Sequence, residues 1–335
     1  MTNKRKERIL VIGACGQIGS ELTHALRDRH GHENVLAADK TDPTDDFCAA
    51  GPFEHVDVTR RELVAGLVQT HHIDTIYNMA AILSAKGEER PHLAWDVNIN
   101  GLYNVLEVAR KHKLTRVFCP SSMAVFGPET PRDNTPQETI LRPTTIYGVT
   151  KVTSELLCNY YVHKFGLDVR GIRYPGIISH KTLPGGGTTD YAVEIFYKAI
   201  QDGRYTCFLR ADTVLPMMYM PDCIKATIAL MEADFDRLEH YADFNLAAMS
   251  FSPAELAAEI QKHIPDFVVT YRPDFRQTIA DSWPRSIDDS AARQEWGWQP
   301  DYDLAAMTAD MLEKLGQRHA QGGLYGEGQP TPLLV

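Results

Sequence analysis

The chain has 335 residues, 44% of them hydrophobic and 23% charged, with a formal net charge of -10. That length exceeds a typical single domain and predicts two domains, or one domain with an elaborated lobe. The acidic balance argues against the clustered Lys and Arg of a sequence-independent nucleic-acid footprint, and no apolar run approaches the roughly 18 residues of a membrane span. The first apolar run, Ile9–Ile12, follows a basic stretch but is short and leads straight into glycines, so it reads as a first β-strand rather than a signal peptide. Further strands are predicted at Val35–Ala38, Glu54–Val56, Thr75–Asn78, Val117–Pro120 and Val169–Tyr174. Helical patterns separate them, one of them opened by the capping box Thr59-Arg60-Arg61-Glu62 and running to about Thr70. This alternation predicts an α/β fold, a doubly wound parallel sheet over residues 1–175, with a later contribution around 215–235. After Tyr174 the pattern becomes irregular, and residues 176–335 are expected to form a smaller mixed substrate-binding lobe. In that lobe Leu183–Tyr191 carries a glycine-rich loop, and Ser252-Pro253-Ala254-Glu255 is an N-cap, first-turn proline and capping glutamate for a helix to about His263. The glycines and prolines of Gln321–Val335 predict a loosely held tail.

Chemistry enters with Gly13-Ala14-Cys15-Gly16-Gln17-Ile18-Gly19, which follows the first strand and opens a helix. Glycines permit a tight turn and close backbone approach, and a helix N-terminus presents N–H groups to a pyrophosphate. Asp39 ends the second strand 20 residues after Gly19, where a carboxylate can bind the adenosine ribose hydroxyls and repel a 2′-phosphate. Gly13, Gly16, Gln17, Ile18, Gly19 and Asp39 therefore predict a Rossmann site for NAD rather than NADP. Asp57-Val58 either adjoins the adenine or forms a turn, and Ala80 and Ala81 provide small residues where the cofactor crosses the sheet, or simply pack.

Tyr147 and Lys151 lie four apart on one helical face, and an ammonium beside a phenol favours the phenolate needed for general-base work. The same spacing recurs at Tyr160 and Lys164, thirteen residues on, which is roughly 220° around the helix and so faces away. The six cysteines are scattered without a C-x-x-C unit, and the histidines have no zinc-motif spacing. Reduced thiols, a cytoplasmic location and no metal are expected.

With Asn98, the run Ser121-Ser122-Met123-Ala124-Val125-Phe126-Gly127 and Tyr174-Pro175-Gly176 added in order, the whole chain resembles an extended short-chain dehydrogenase/reductase. Within that family it is most similar to the NAD-dependent L-threonine 3-dehydrogenases, on Leu83-Ser84-Ala85-Lys86-Gly87-Glu88, Leu183–Tyr191 and the segment from Asp281 to Ser290. The resemblance implies that Ser122, Tyr147 and Lys151 are catalytic, that Asn98 and the backbone of Tyr174, Pro175 and Gly176 belong to the cofactor site, and that L-threonine is oxidised to 2-amino-3-ketobutyrate. Ser84, Ser121, Ser122, Tyr147, Gly186, Gly187 and Thr188 are then candidates to hold the substrate, with Trp283 as a lid or wall. It also implies a homodimer formed through helices near 91–113 and 147–164, with Tyr160 and Tyr161 in reach of the interface.

The alternative within the same fold is a nucleotide-sugar epimerase or dehydratase. Those relatives place an arginine against the substrate diphosphate, where this chain has Leu215, which would leave a diphosphate poorly compensated. A scaffold or sensor that binds the dinucleotide without chemistry would have no need of Ser122, Tyr147 and Lys151 together.

Overall fold

The computed structural model describes residues 7–181 and 187–323, so Gly186, with the rest of 182–186, and the tail from 324 lie outside the described residues. The strands are β1 (Ile9–Ile12), β2 (Val35–Asp39), β3 (Phe53–His55), β4 (Thr75–Asn78), β5 (Arg116–Phe118), β6 (Ser121–Ser122) and β7 (Val169–Arg170). They continue with β8 (Ile172–Tyr174), β9 (Gly176–Ile178), β10 (Arg204–Cys207), β11 (Leu215–Tyr219), β12 (Phe244–Asn245), β13 (Met249–Phe251) and β14 (Val268–Tyr271). The α-helices of the first half are α1 (Gln17–His30), α2 (Asp45–Ala49), α3 (Arg61–Thr70), α4 (Ser84–Glu89), α5 (Pro91–Trp95), α6 (Leu102–His112) and α7 (Ile146–Phe165). Those of the second are α8 (Tyr191–Asp202), α9 (Met220–Glu232), α10 (Pro253–Gln261), α11 (Arg276–Asp281), α12 (Ser290–Trp296) and α13 (Leu304–Ala320).

A six-stranded parallel sheet in the order β3-β2-β1-β4-β5-β7 forms the centre. Its middle strands are buried on both faces, as parallel strands under two helical layers must be. In β1, Ile9 and Val11 pack with Leu22 and Leu26 of α1 and with Ala226 and Leu230 of α9. Leu10 and Ile12 face the other layer, with Val64 of α3, Val105 of α6 and Tyr161 of α7. Alternation along a strand thus feeds two cores, and the sheet is doubly wound. The strand order reverses between β1 and β4, which opens a crevice at their C-terminal ends.

Smaller sheets lie beyond this crevice: β6-β8-β12, the mixed β9-β11-β13, and the pair β10-β14. The helices α8, α10 and α13 pack over them in a third core that also takes in Phe126 and Tyr147. Among the described residues no helix is long and apolar enough to cross a membrane.

Two expected strands break. The run predicted as Val117–Pro120 ends at Phe118, and Ser121–Ser122 pairs separately with β8. Proline has no N–H to continue a ladder. The run predicted as Val169–Tyr174 divides at Gly171, whose N–H goes to Tyr241 O at 2.9 Å and whose absent Cβ would sit 2.3 Å from Cys119 O. The chain thereby passes from the large sheet to the smaller one. The capping box expected at Thr59 does not form either: Arg60 is the N-cap, and the Thr59 hydroxyl donates to Asp57 instead. At Ser252 the box forms, with Ser252 N donating to Glu255 Oε2 at 2.8 Å and Glu255 N to Ser252 Oγ at 3.2 Å.

Candidate active site

The glycine loop builds one end of the crevice. Gly13 has φ +80, and a Cβ on it would lie 2.5 Å from Ala80 N, so only glycine lets the loop rest on the end of β4. A Cβ on Gly19 would lie 2.1 Å from Gly13 O, so glycine there lets α1 close onto the loop. Helix α1 starts behind Gly16 with no side chain capping its first turn, which leaves its N-terminus open to an anion. Asp39 stands at the loop, accepting hydrogen bonds from Cys15 N and Thr41 N at 2.9 Å each. Burial, with Asp39 adding to it, pushes the Cys15 thiol up to about 12, which disfavours its thiolate.

The adjoining cavity has a volume of about 220 Å³. It brings together Gly13, Gly16, Gln17, Ile18, Gly19 and Ala81 near the glycine loop and β4, and Ser84, Ser121, Ser122, Tyr147 and Lys151 from α4, β6 and α7. Tyr174, Pro175, Gly176, Gly187, Thr188 and Trp283 complete the walls. Two buried atoms in this lining, Gln17 Nε2 and Thr188 Oγ1, have no hydrogen-bond partner among the described residues.

Helix α7 delivers the central pair. Thr145 caps it, accepting from Gly148 N at 3.1 Å, and Ile146 N donates to Glu88 of α4 at 2.7 Å. Because α4 carries Ser84, the cap ties that serine's helix to Tyr147. Lys151 lies one turn on, donating to Pro120 O at 2.7 Å with its ammonium 5.5 Å from the Tyr147 ring centroid. Ser122 accepts from Ala124 N at 3.2 Å, which fixes its oxygen and leaves its own proton to donate into the cavity. Tyr160 is 52% exposed on another side of α7, and Lys164 is exposed with it, so the duplicated pair stands outside the cavity. Tyr161, expected near an interface, is instead buried with its hydroxyl donating to Glu107 at 2.8 Å.

Other residues named from the sequence stand apart from this cavity. Asp57 accepts from Lys40 Nζ at 2.8 Å and from Thr59 N and Oγ1 at 3.0 and 2.7 Å. Lys40 first, and then Thr59, hold its carboxyl at about 2. Val58 is buried against Gly101, where a Cβ would meet it at 2.7 Å. Asn98 clamps the chain after β4, accepting from Ile82 N at 2.8 Å, and donates to Thr150 of α7 at 3.0 Å. With Ala80 it lines a chamber of about 20 Å³ behind Lys151. Leu215 is fully buried within β11.

The sequence reading missed a buried ion pair next to Ser121. Glu155, one turn beyond Lys151, takes a fork from Arg173 of β8, Nε to Oε1 and Nη2 to Oε2 at 2.9 Å each. Ser121 Oγ donates to the same Oε1 at 2.5 Å. Burial raises the Glu155 carboxyl, and Arg173 and Ser121 oppose that shift. Its signal was the unbroken spacing Tyr147, Lys151, Glu155, which puts a third titratable group on the catalytic face. Also missed was Asp190, which accepts from Gly187 N at 2.7 Å and anchors the end of the glycine-rich loop in the wall.

A family model described as the NAD dependent epimerase/dehydratase family matches residues 9–247. The chain belongs to this family. It is 53% identical over 314 residues to an uncharacterized epimerase/dehydratase of Staphylococcus haemolyticus, covering 93% of this chain and 98% of that protein. Among solved structures it is similar to the L-threonine dehydrogenase of Phytophthora infestans, at 54% identity and a TM-score of 0.90, covering 93% of this chain and all of that one (100%). An L-threonine dehydrogenase of Cupriavidus necator in its holo form is 52% identical with a TM-score of 0.90, covering 92% and 99% of the two chains. NAD is the family's cofactor, and the residues present fit it. Gly13 and Gly19 let the loop lie close against β4 and α1, α1 offers an uncapped terminus, and the Gln17 amide, without a partner among the described residues, lies in the lining beside them.

Proposed function

We propose that this protein is a metal-independent, NAD-dependent L-threonine 3-dehydrogenase producing 2-amino-3-ketobutyrate in threonine catabolism. One observation carries the choice of substrate. Among the described lining residues Lys151 is the sole cation, and no arginine faces the space where a sugar nucleotide's diphosphate would lie. A buried diphosphate without a guanidinium fork is poorly compensated, whereas a small zwitterion brings both charges with it. The L-threonine dehydrogenases similar over more than nine-tenths of the chain support the same reading.

In this reading Tyr147 accepts the proton of the substrate's 3-hydroxyl, and Lys151 favours the phenolate electrostatically from one helical turn away. Ser122 donates to the same oxygen and keeps it at the phenol as the carbonyl forms. NAD, when bound, takes the hydride leaving C3. Asp39 holds the adenosine ribose, and the backbone at Asp57 and Val58 borders the adenine. Ala80, Ala81 and the chain at Tyr174, Pro175 and Gly176 shape the nicotinamide end, while Asn98 braces α7 behind Lys151. Thr188, whose buried hydroxyl has no partner among the described residues, binds the amino-acid end of the substrate together with Ser84, Ser121, Gly186 and Gly187. Trp283 forms the wall that keeps water out.

We assign residues 1–175 and about 215–235 to the cofactor domain and 176–335 to the substrate lobe. The six free cysteines suit a reducing cytoplasm. The exposed apolar side chains of α5, α6 and α7 suit a homodimer. The test is NADH formation from L-threonine and NAD, set beside the shift in melting temperature caused by UDP-sugars. Turnover with L-threonine is expected; no NADH together with stabilisation by a UDP-sugar overturns the reading in favour of the epimerase or dehydratase.

A further inference from the structure

Ser121 and Ser122 are adjacent, line the same cavity and carry the same hydroxyl, yet their surroundings give them opposite hydrogen-bonding roles. Ser122 receives Ala124 N–H, so it faces the cavity with a proton to donate. At Ser121 the proton is already committed. Arg173 can only donate, and its fork engages both oxygens of Glu155, which favours the charged carboxylate. The contact from Ser121 Oγ to Glu155 Oε1 is then an O–H donated to that carboxylate. What Ser121 presents to the cavity is a pair of oxygen lone pairs.

The arrangement is rigidly held. Glu155 and Arg173 are 3% exposed, and Arg173 also donates to Gln137 O at 3.0 Å and Asn245 Oδ1 at 3.1 Å. Arg173 is the register partner of Ser121 across β6 and β8, so the fork that orients Glu155 and the serine it orients are fastened to one ladder. An acceptor fixed in this way rejects a carboxylate, which has no proton to give, and suits an ammonium, which has three and accepts none.

Given the amino-acid substrate proposed above, we propose that Ser121, held as an obligatory acceptor by Glu155 and Arg173, receives a hydrogen bond from the substrate's α-ammonium and so selects amino acids over plain hydroxy acids. Glu155 and Arg173 act through Ser121 and are positioning residues. The substrate carboxylate is then left to donors elsewhere in the lining, Thr188 among them.

The experiment compares kcat/KM for L-threonine and for (R)-3-hydroxybutyrate, which is the same molecule without its amine, in the wild type and in Ser121→Ala. That variant leaves the Glu155–Arg173 fork in place. Its preference for L-threonine is expected to shrink about tenfold or more, chiefly through KM, the worth of one hydrogen bond to a charged group. A second variant, Glu155→Leu with Arg173→Met, removes the acceptor that anchors Ser121 without stranding a buried charge. It is expected to show the same loss of preference, with little added by Ser121→Ala on top. Equal losses on both substrates in Ser121→Ala, or no loss on L-threonine, overturn the ammonium assignment even if the double variant fails to fold. A folded double variant with its preference intact overturns the role of Glu155. A wild type that makes no NADH from L-threonine instead sinks the substrate reading, and this assignment with it.

Discussion

The phenol of Tyr147 and the ammonium of Lys151 meet because α7 starts one residue before the tyrosine, where the Thr145 cap fixes the first turn. Lys151 is steered by the carbonyl of Pro120, a residue that β5 cannot use in its ladder. Replacing Tyr147 with Phe keeps the ring and its packing and removes the proposed proton acceptor. In Tyr147→Phe kcat with L-threonine is expected to fall by about 10²–10⁴-fold while NAD binding, followed by fluorescence, is retained. Turnover at the wild-type rate in that variant would take Tyr147 out of the mechanism. Individual residues were the most legible part of the sequence, because glycine positions, strand-end carboxylates and four-residue spacings each carry a local mechanism. What stayed hidden was the use of each group: the Asp57 carboxylate answers Lys40 and Thr59, and Ser121 answers a carboxylate that is 34 residues away in the chain.

At the scale of elements, local signals succeeded where no competing partner existed and failed where one did. The capping box at Ser252 formed, whereas Thr59 found Asp57 two residues before it and left Arg60 to open α3. Helices α5, α6 and α7 leave large apolar side chains in solvent: Trp95 is 42% exposed, Tyr103 44%, Leu156 67% and Tyr160 52%. Tyr103, Tyr160 and Phe165 gather round the buried Tyr161, so the exposed rings on α6 and α7 belong to one cluster. A second copy covering this face would bury them. Sedimentation is expected to show a dimer for the wild type and a monomer for Leu156→Glu with Tyr160→Glu; an unchanged sedimentation coefficient would place any interface elsewhere.

Across the whole molecule, the segment carrying Trp283 is tied to the catalytic half. Arg132 Nε donates to Trp283 O at 3.1 Å, Arg285 pairs with Asp133, and Asn245 Nδ2 bridges Thr135 O and Asp288 O at 3.2 and 3.1 Å. The chain entering the glycine-rich loop is pinned as well. Ser179 donates to Glu21 of α1 at 2.5 Å, and His180 O accepts from Arg318 of α13 at 2.8 Å. The His180 ring meets the Tyr219 hydroxyl at 3.0 Å, which in turn donates to Asp310 at 2.6 Å. Burial first, then the charges of Lys181 and Arg318, lower His180 from 6.5 to about 4, with Asp310 opposing them. A folded state that refuses a proton the unfolded chain accepts loses stability as the pH falls through 6.5, and the loss levels off near 4. The melting temperature of the wild type relative to His180→Asn is therefore expected to be highest above that window and to decline within it; a difference independent of pH would show that His180 does not titrate against folding.

The sequence by itself determined the parallel α/β class, the glycine loop after β1, the carboxylate at the end of β2 and the placing of Tyr147 and Lys151 one turn apart on a helix. These rest on periodicity and on spacings within one turn or one strand, which depend on neighbours close in the chain. Tertiary structure alone decided that Gly171 splits a strand, that Leu215 belongs to a core, that Tyr161 is buried against Glu107, and that Ser121 gives its proton to Glu155. Each of these turns on which distant group arrives beside it. Burial and hydrogen-bond satisfaction are properties of the assembled chain, and no local pattern encodes them.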